Sequence, residues 1–366
     1  MANACMILKK TVNADMGATF AVFDAFAVGG YSFDEIRVIS EANGQTLAQM
    51  IADLKKKNKL LLLLSSEDYL SNAKKCVMHS FGGELLKDVH DACIFRDGET
   101  FLCSLSSEQV NASVEFVKNI CVPYFRENSG GEYTCISLRA IGANASVLEE
   151  ELSKIEKASN GCIRSKRSSL LGDDVISLVY EKSIPKPYID DVVRELLIKL
   201  GDTVYALNDN SIEMQLVELL KLRRAKISVA ESFTGGGIAK RITSIPGASA
   251  IYFEGINTYN ELSKVKRLGV SVDTLNKFGA VSERTAYEMA LGLLNTGDCD
   301  LALATTGLAG PQSDKSGLPV GLCFIAVGTS GFIQVYRHVF DGDRRTITEK
   351  AINYALHHAY KAVKGL

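Results

Sequence analysis

Residues 230–250 read AESFTGGGIAKRITSIPGASA, and they follow a short apolar run, KISV, at 226–229. A short apolar run bounded by glycine reads as a buried strand, and the segment GGIAKRITSI beyond it has helical spacing. Strand, glycine-rich turn and helix make up the repeating unit of an α/β sheet, whose ligand crevice lies beyond the carboxyl ends of the strands. Glycines at 235, 236 and 237 let backbone N–H groups approach an anion or a polar small molecule, assisted by the helix dipole. The competing reading is structural, because a strand-to-helix turn needs positive φ whatever it binds. It is not a Walker loop, since the G-x-x-x-x-G-K-[ST] spacing is absent.

Outward from this stretch, residues 209–366 continue as an α/β domain. A helix precedes KISVA, and a strand YFEGINTY, a short helix after Asn260 and a longer helix from Ser282 follow. The strands DLALATT, VGLCFIAVG and FIQVYRHVF and a helix from Arg344 complete it. Residues 129–208 read as a small α+β module: helix VLEEELSKIEKA, paired strands GCIRSKRS and DVISLVYEK, helix YIDDVVRELLIKLG and strand TVYAL. Its entry is the polar, glycine-containing stretch RENSGGEYT, and its exit is NDNSIE. Residues 1–128 alternate β-rich and helical segments, with KLLLLLS fitting a central strand buried on both faces of a mostly parallel sheet. A length of 366 residues accommodates three such domains.

Composition excludes several classes of function. The net charge is −2, with Lys and Arg spread along the chain, which argues against nucleic acid as the main ligand. Nine cysteines without a C-x-x-C pair suggest neither a zinc site nor a disulfide framework, and a reducing compartment is expected. No apolar run approaches the roughly 20 residues of a membrane helix, and MANACMILKK lacks the pattern of a secretory leader. A soluble cytoplasmic protein is the expectation.

Further polar sites stand out in the last domain. GASAIYFEGINTYNELSK holds Ser249, Tyr259 and Lys264, and a lysine can take a serine's proton if desolvation lowers its pKa. Taken alone, Ser249 reads as a helix cap before it reads as a nucleophile, Lys264 as a solvated charge and Tyr259 as a strand residue. ATTGLAGPQSD ends a strand in Thr306 and Gly307, and FDGDRR opens a helix with Arg344, whose guanidinium can fork onto a phosphate or carboxylate.

VAESFTGG, ITSIPGASA, TYNELSK, LGV, GAVSE, TTGLAGP, PVGLCFIAV and DGDRR together, in order and spacing, resemble the C-terminal domain of the CinA (competence/damage-inducible protein A) family. RAIG at 139–142 and LGDTVYAL at 200–207 are similar to the borders of that family's middle module. The resemblance implies a degenerate molybdopterin-binding-like α/β domain, a small α+β module and a CinA-type α/β domain. It implies hydrolysis of the carboxamide of nicotinamide mononucleotide to nicotinic acid mononucleotide and ammonia, with no cofactor or metal. Carried over by position, Ser249 is the nucleophile, Lys264 its base and Tyr259 a hydroxyl that orients or shuttles the proton. Glu231, Ser232, Thr234, Gly235, Gly236, Thr306, Gly307 and Arg344 are expected to bind substrate; from backbone chemistry, and not from the motif, the glycine turn is expected on the phosphate or ribose and the oxyanion donors near Ser249. Partners implied are the small-molecule substrate and a second copy in a homo-oligomer such as a dimer, with no nucleic acid and no membrane.

The chain departs from the family pattern at Phe233, Ala248, the NELS before Lys264, and QSDKSGL after Pro311. In the first domain SSEDYLSNAKK replaces the family's TGGLGPTxDD, so this domain is expected to be catalytically silent. The alternatives are a non-catalytic nucleotide-binding scaffold and an ADP-ribose pyrophosphatase acting through the first domain.

Overall fold

A computed structural model describes residues 3–8, 16–28, 33–40, 43–80, 85–89, 92–95, 100–104, 110–123, 133–313 and 317–365. Most of RENSGGEYT and three residues of QSDKSGL lie outside the described residues. Two compact units result: 1–135 with 158–164 and 178–189, and 136–157 with 165–177 and 190–366. Residues of the expected middle module fall in both.

The first unit opens β1 (Asn3–Leu8), α1 (Met16–Val28), β2 (Glu35–Ile39), α2 (Gly44–Lys57), β3 (Leu60–Ser65) and α3 (Glu67–Ser80). It continues β4 (Leu85–Val89), β5 (Ala92–Phe95), β6 (Thr100–Ser104) and α4 (Val110–Phe116). These strands form a sheet ordered β2-β1-β3-β6-β5-β4, parallel from β2 to β6 and antiparallel beyond it. Every residue of LLLLLS in β3 is buried, as a central strand covered on both faces requires. Leu60, Leu62 and Leu64 pack with Phe26 and Val117 on one face, and Leu61 and Leu63 with Ile51 and Val77 on the other.

A four-stranded sheet, β10-β7-β9-β8, follows from β7 (Tyr133–Ile141), α5 (Ala145–Ala158), β8 (Ile163–Leu170), β9 (Asp173–Glu181), α6 (Lys186–Leu200) and β10 (Val204–Ala206). Strand β7 is absent from the sequence expectation, in which the helix comes first.

From residue 212 the second unit holds α7 (Ile212–Arg223), β11 (Ile227–Glu231), α8 (Gly237–Thr243) and β12 (Tyr252–Asn257). After these come α9 (Glu261–Leu268), α10 (Val272–Phe278), α11 (Glu283–Leu294), β13 (Leu301–Gly307), β14 (Leu322–Thr329), β15 (Phe332–Val339) and α12 (Arg344–Lys364). The sheet order is β12-β11-β13-β14-β15, with the first three strands parallel and the last two antiparallel. Ile227, Val229, Leu301 and Leu303 pack against α7, α8 and α12. Alternate residues Ala230, Ala302 and Ala304 are small, and Met289 and Leu293 of α11 settle on them. The chain leaves β11 towards β12 on one side and later returns to β13 on the other. Strand order therefore reverses at β11, and the carboxyl ends of β11, β12 and β13 face one crevice.

Candidate functional site

At the end of β11, Glu231 is buried to 1% exposure and its carboxyl turns onto the following helix. It accepts from the N–H groups of Gly236 (3.0 Å), Ile238 (3.1 Å) and Ala239 (2.9 Å), the donors that a helix start leaves unpaired. Gly235 and Gly236 have φ of 62° and 96°, which bends the chain back within reach of that carboxyl. Glu231 thus caps the helix, and in the turn expected to cradle a phosphate or ribose, residues 234–236, the N–H of Gly236 is engaged by that carboxyl while those of Ile238 and Ala239 beyond it are engaged likewise. Thr234 likewise shares a 2.8 Å hydrogen bond with Thr305 of β13, a residue not singled out from sequence.

Ser232, next along the turn, is held by its N–H on the Thr305 carbonyl (3.1 Å). Its hydroxyl meets Lys264, on the first turns of α9. Asn260 starts that helix by accepting from Leu262 N–H, and the lysine is carried inward on its buried face, 1% exposed. Lys264 Nζ donates to Ser232 Oγ (2.8 Å) and to the Thr258 carbonyl (2.5 Å) at the end of β12. Burial strips water from the ammonium and lowers its pKa to about 8, against the weaker upward pull of Glu261. A lysine so placed is half neutral near pH 8, and its lone pair then lies along the same contact as an acceptor for the serine proton.

Ser249 is not part of this contact. It sits exposed in a 3-10 turn, Ala248–Ala250, lining a surface pocket of about 440 Å³ with Tyr252 and Pro246. The expected Ser249–Lys264 pairing is therefore corrected to Ser232–Lys264. The turn after Gly247 and strand β12 separate Ser249 from α9, whereas parallel pairing of β11 with β12 brings Ser232 beside Thr258 and Lys264. Tyr259 is 62% exposed and accepts a 2.7 Å hydrogen bond from Arg344, whose other terminal nitrogen donates to the Gly310 carbonyl (2.7 Å). This pair stands at the surface and, among the described residues, neither hydroxyl nor guanidinium bonds to Lys264 or Ser232.

Thr306 and Gly307 have structural duties. The Thr306 hydroxyl donates to the Ala280 carbonyl (2.6 Å), tying the loop before α11 to β13. A side chain on Gly307 would collide with Cys323 and the Leu322 carbonyl of β14. Beside Ser232, Phe233 lines a cavity of about 590 Å³ with Pro311, Arg344, Arg345 and Thr348. Among the described residues no group of three or more His, Cys, Asp or Glu side chains is placed to hold a metal ion, and no helix is long and apolar enough to cross a membrane.

An α/β domain with a buried serine–lysine pair where its strand order reverses is thus defined. The family described as CinA C-terminal domain matches residues 209–363, the whole of that domain. A competence-damage inducible protein of Caldicellulosiruptor saccharolyticus is 37% identical over 237 residues, 64% of this chain and 58% of its own. One from Clostridium beijerinckii is 36% identical over 63% of this chain and 56% of its own. The chain thus spans less than two thirds of these relatives' length. Among solved structures, the competence damage-inducible protein A of Klebsiella pneumoniae is 31% identical, covering 42% of this chain and 98% of its own, with a TM-score of 0.41. Residues 209–363 of the chain belong to the CinA C-terminal domain family.

Proposed function

We propose that the C-terminal domain is an amidohydrolase that cleaves the carboxamide of nicotinamide mononucleotide, with Ser232 as nucleophile and Lys264 as its base. The observation that supports this most is the buried Lys264 amine on the Ser232 hydroxyl. A serine is a weak nucleophile until a neighbouring base takes its proton, and a lysine serves once desolvation makes its neutral form accessible. The substrate identity follows the family resemblance.

Ser232 Oγ adds to the amide carbon as its proton passes to Lys264, and the carbonyl electrons move onto oxygen. Collapse of that adduct breaks the C–N bond, and the Lys264 ammonium gives its proton to the leaving nitrogen as ammonia. Water then adds to the ester, with Lys264 again accepting a proton, and the second adduct expels Ser232, which recovers that proton. Arg344, which lines a cavity with Phe233 and bonds to Tyr259, is suited to orient the nucleotide.

Acid-quenching the enzyme during turnover and mapping the acyl adduct by mass tests the assignment. Trypsin separates the two serines, because cleavage after Lys226, Lys240, Arg241 and Lys264 leaves Ser232 in 227–240 and Ser249 in 242–264. The adduct is expected on the first peptide; an adduct on the second would return the nucleophile to Ser249.

A further inference from the structure

From Ser232 to Ala239, six backbone N–H groups are engaged and two are not. Ser232 N–H donates to Thr305 O, Gly235 N–H to Ser232 O and Gly237 N–H to Thr234 O, at 3.1, 3.1 and 3.0 Å. Gly236, Ile238 and Ala239 donate to the Glu231 carboxyl. The N–H groups of Phe233 and Thr234 have no acceptor among the described residues. Both residues are more than nine-tenths buried, at 6% and 5% exposure. Backbone donors without a partner are uncommon in residues as buried as these. Adjacent N–H groups in a turn make a concavity suited to an anionic oxygen.

We propose that the N–H groups of Phe233 and Thr234 are the oxyanion hole of this site, receiving the oxygen that becomes negative when Ser232 Oγ adds to a carbonyl carbon. The inference rests on the reading of Ser232 as the nucleophile of an acyl-transfer reaction. An adduct on Ser232 is anchored at the residue before these donors, so its oxygen is delivered to them by the covalent bond itself. Glu231 contributes by drawing the helix donors onto itself, which leaves this pair as the unengaged donors between Ser232 and Ala239. The hole expected near Ser249 moves with the nucleophile. The same argument gives the turn a reason for its tight bend at Gly235: successive donors stay free only where the chain neither continues the strand ladder nor has yet entered the helix.

The test removes one donor without touching a side chain. Phe233 is replaced by its α-hydroxy analogue, phenyllactic acid, through stop-codon suppression, so that an ester oxygen stands where the N–H was. Two rates are measured in the full chain, ammonia release from nicotinamide mononucleotide and covalent labelling of Ser232 by a small fluorophosphonate. Labelling forms the Oγ–P bond, expels fluoride and sends the serine proton to Lys264, and it develops the same oxyanion on phosphorus. The expected result is a fall in both kcat and labelling rate of about 10²–10³-fold, with KM within a few-fold and only a small drop in thermal midpoint, because the Ser232 carbonyl that accepts from Gly235 N–H becomes a weaker ester acceptor. Rates within threefold of the unsubstituted chain would overturn the proposal, as would a wild-type chain that does not label at Ser232. A wild-type chain that labels but releases no ammonia would sink the amide substrate alone, and slower labelling of the ester variant would then still support the hole.

Discussion

At the residue scale the account turns on Lys264. The neutral amine is the active form, so below its pKa of about 8 the competent fraction falls tenfold per pH unit. Log kcat/KM is expected to rise with unit slope up to about pH 8 and then level off, measured as ammonia release across pH 6–10. A flat profile over that range would remove Lys264 as the base. The same burial has a stability consequence. The folded-state pKa lies below the unfolded value near 10.4, so the unfolded chain binds more protons between about 8 and 10.4 and folding strengthens as pH rises through that window. Below it the buried ammonium is a standing cost. Lys264→Met should therefore abolish activity while raising the thermal midpoint at pH 7, a gain that shrinks as pH approaches 10. Glu231→Gln acts oppositely: an amide cannot supply two acceptor oxygens to three N–H groups, and stability is expected to fall by about 1–3 kcal/mol in denaturant titration, along with kcat. Lys264 and Ser232 were both visible as polar residues in glycine-rich or capped segments. Their partnership was not, because 32 positions of sequence separate them and only the pairing of β11 with β12 brings them together.

At the scale of elements, helix α9 must be held still for its lysine to meet a turn on another strand. Its end packs on α11 at Gly292, where a Cβ would collide with the Leu268 backbone. Backbone cannot swing aside as a side chain can. Gly292→Ala is thus expected to push α9 outward, costing about 1–3 kcal/mol despite alanine's better helix propensity, and to lower kcat by misplacing Lys264. An alanine variant with wild-type stability and kcat would show that α9 is not clamped there. Most elements of this domain were legible from apolar runs and caps: Asn260, Ser282 and Asp343 each cap the helix that follows. Helix α10 was missed because VDTLNKF is only seven residues long and offers too few turns for its spacing to register. Strand β7 was missed because it begins inside the polar stretch read as a boundary. The capping by Glu231 was not legible for a different reason: a carboxyl before a glycine turn has the same letters whether it faces a ligand or folds back onto its own helix.

For the whole molecule, the chemistry assigned to Ser232, Lys264 and two backbone donors lies entirely within residues 231–264 and their β13 support. Ammonia release is accordingly expected to persist in excess EDTA, and loss of activity on chelation, restored by a divalent cation, would show that the proton and charge transfers are shared with a metal. The alternation of apolar runs and helical spacing was enough to foresee an α/β chain with distinct sheets, since those follow from local periodicity. The location of the reacting pair depends on strand order, which local periodicity does not encode. The central claim is that Ser232, and not Ser249, is activated by Lys264. The most direct measurement is ammonia release from nicotinamide mononucleotide by the wild type beside Ser232→Ala, Lys264→Ala and Ser249→Ala. The account predicts kcat losses of at least about 10³-fold for the first two and a far smaller effect for the third. Full activity in Ser232→Ala with loss in Ser249→Ala would contradict it.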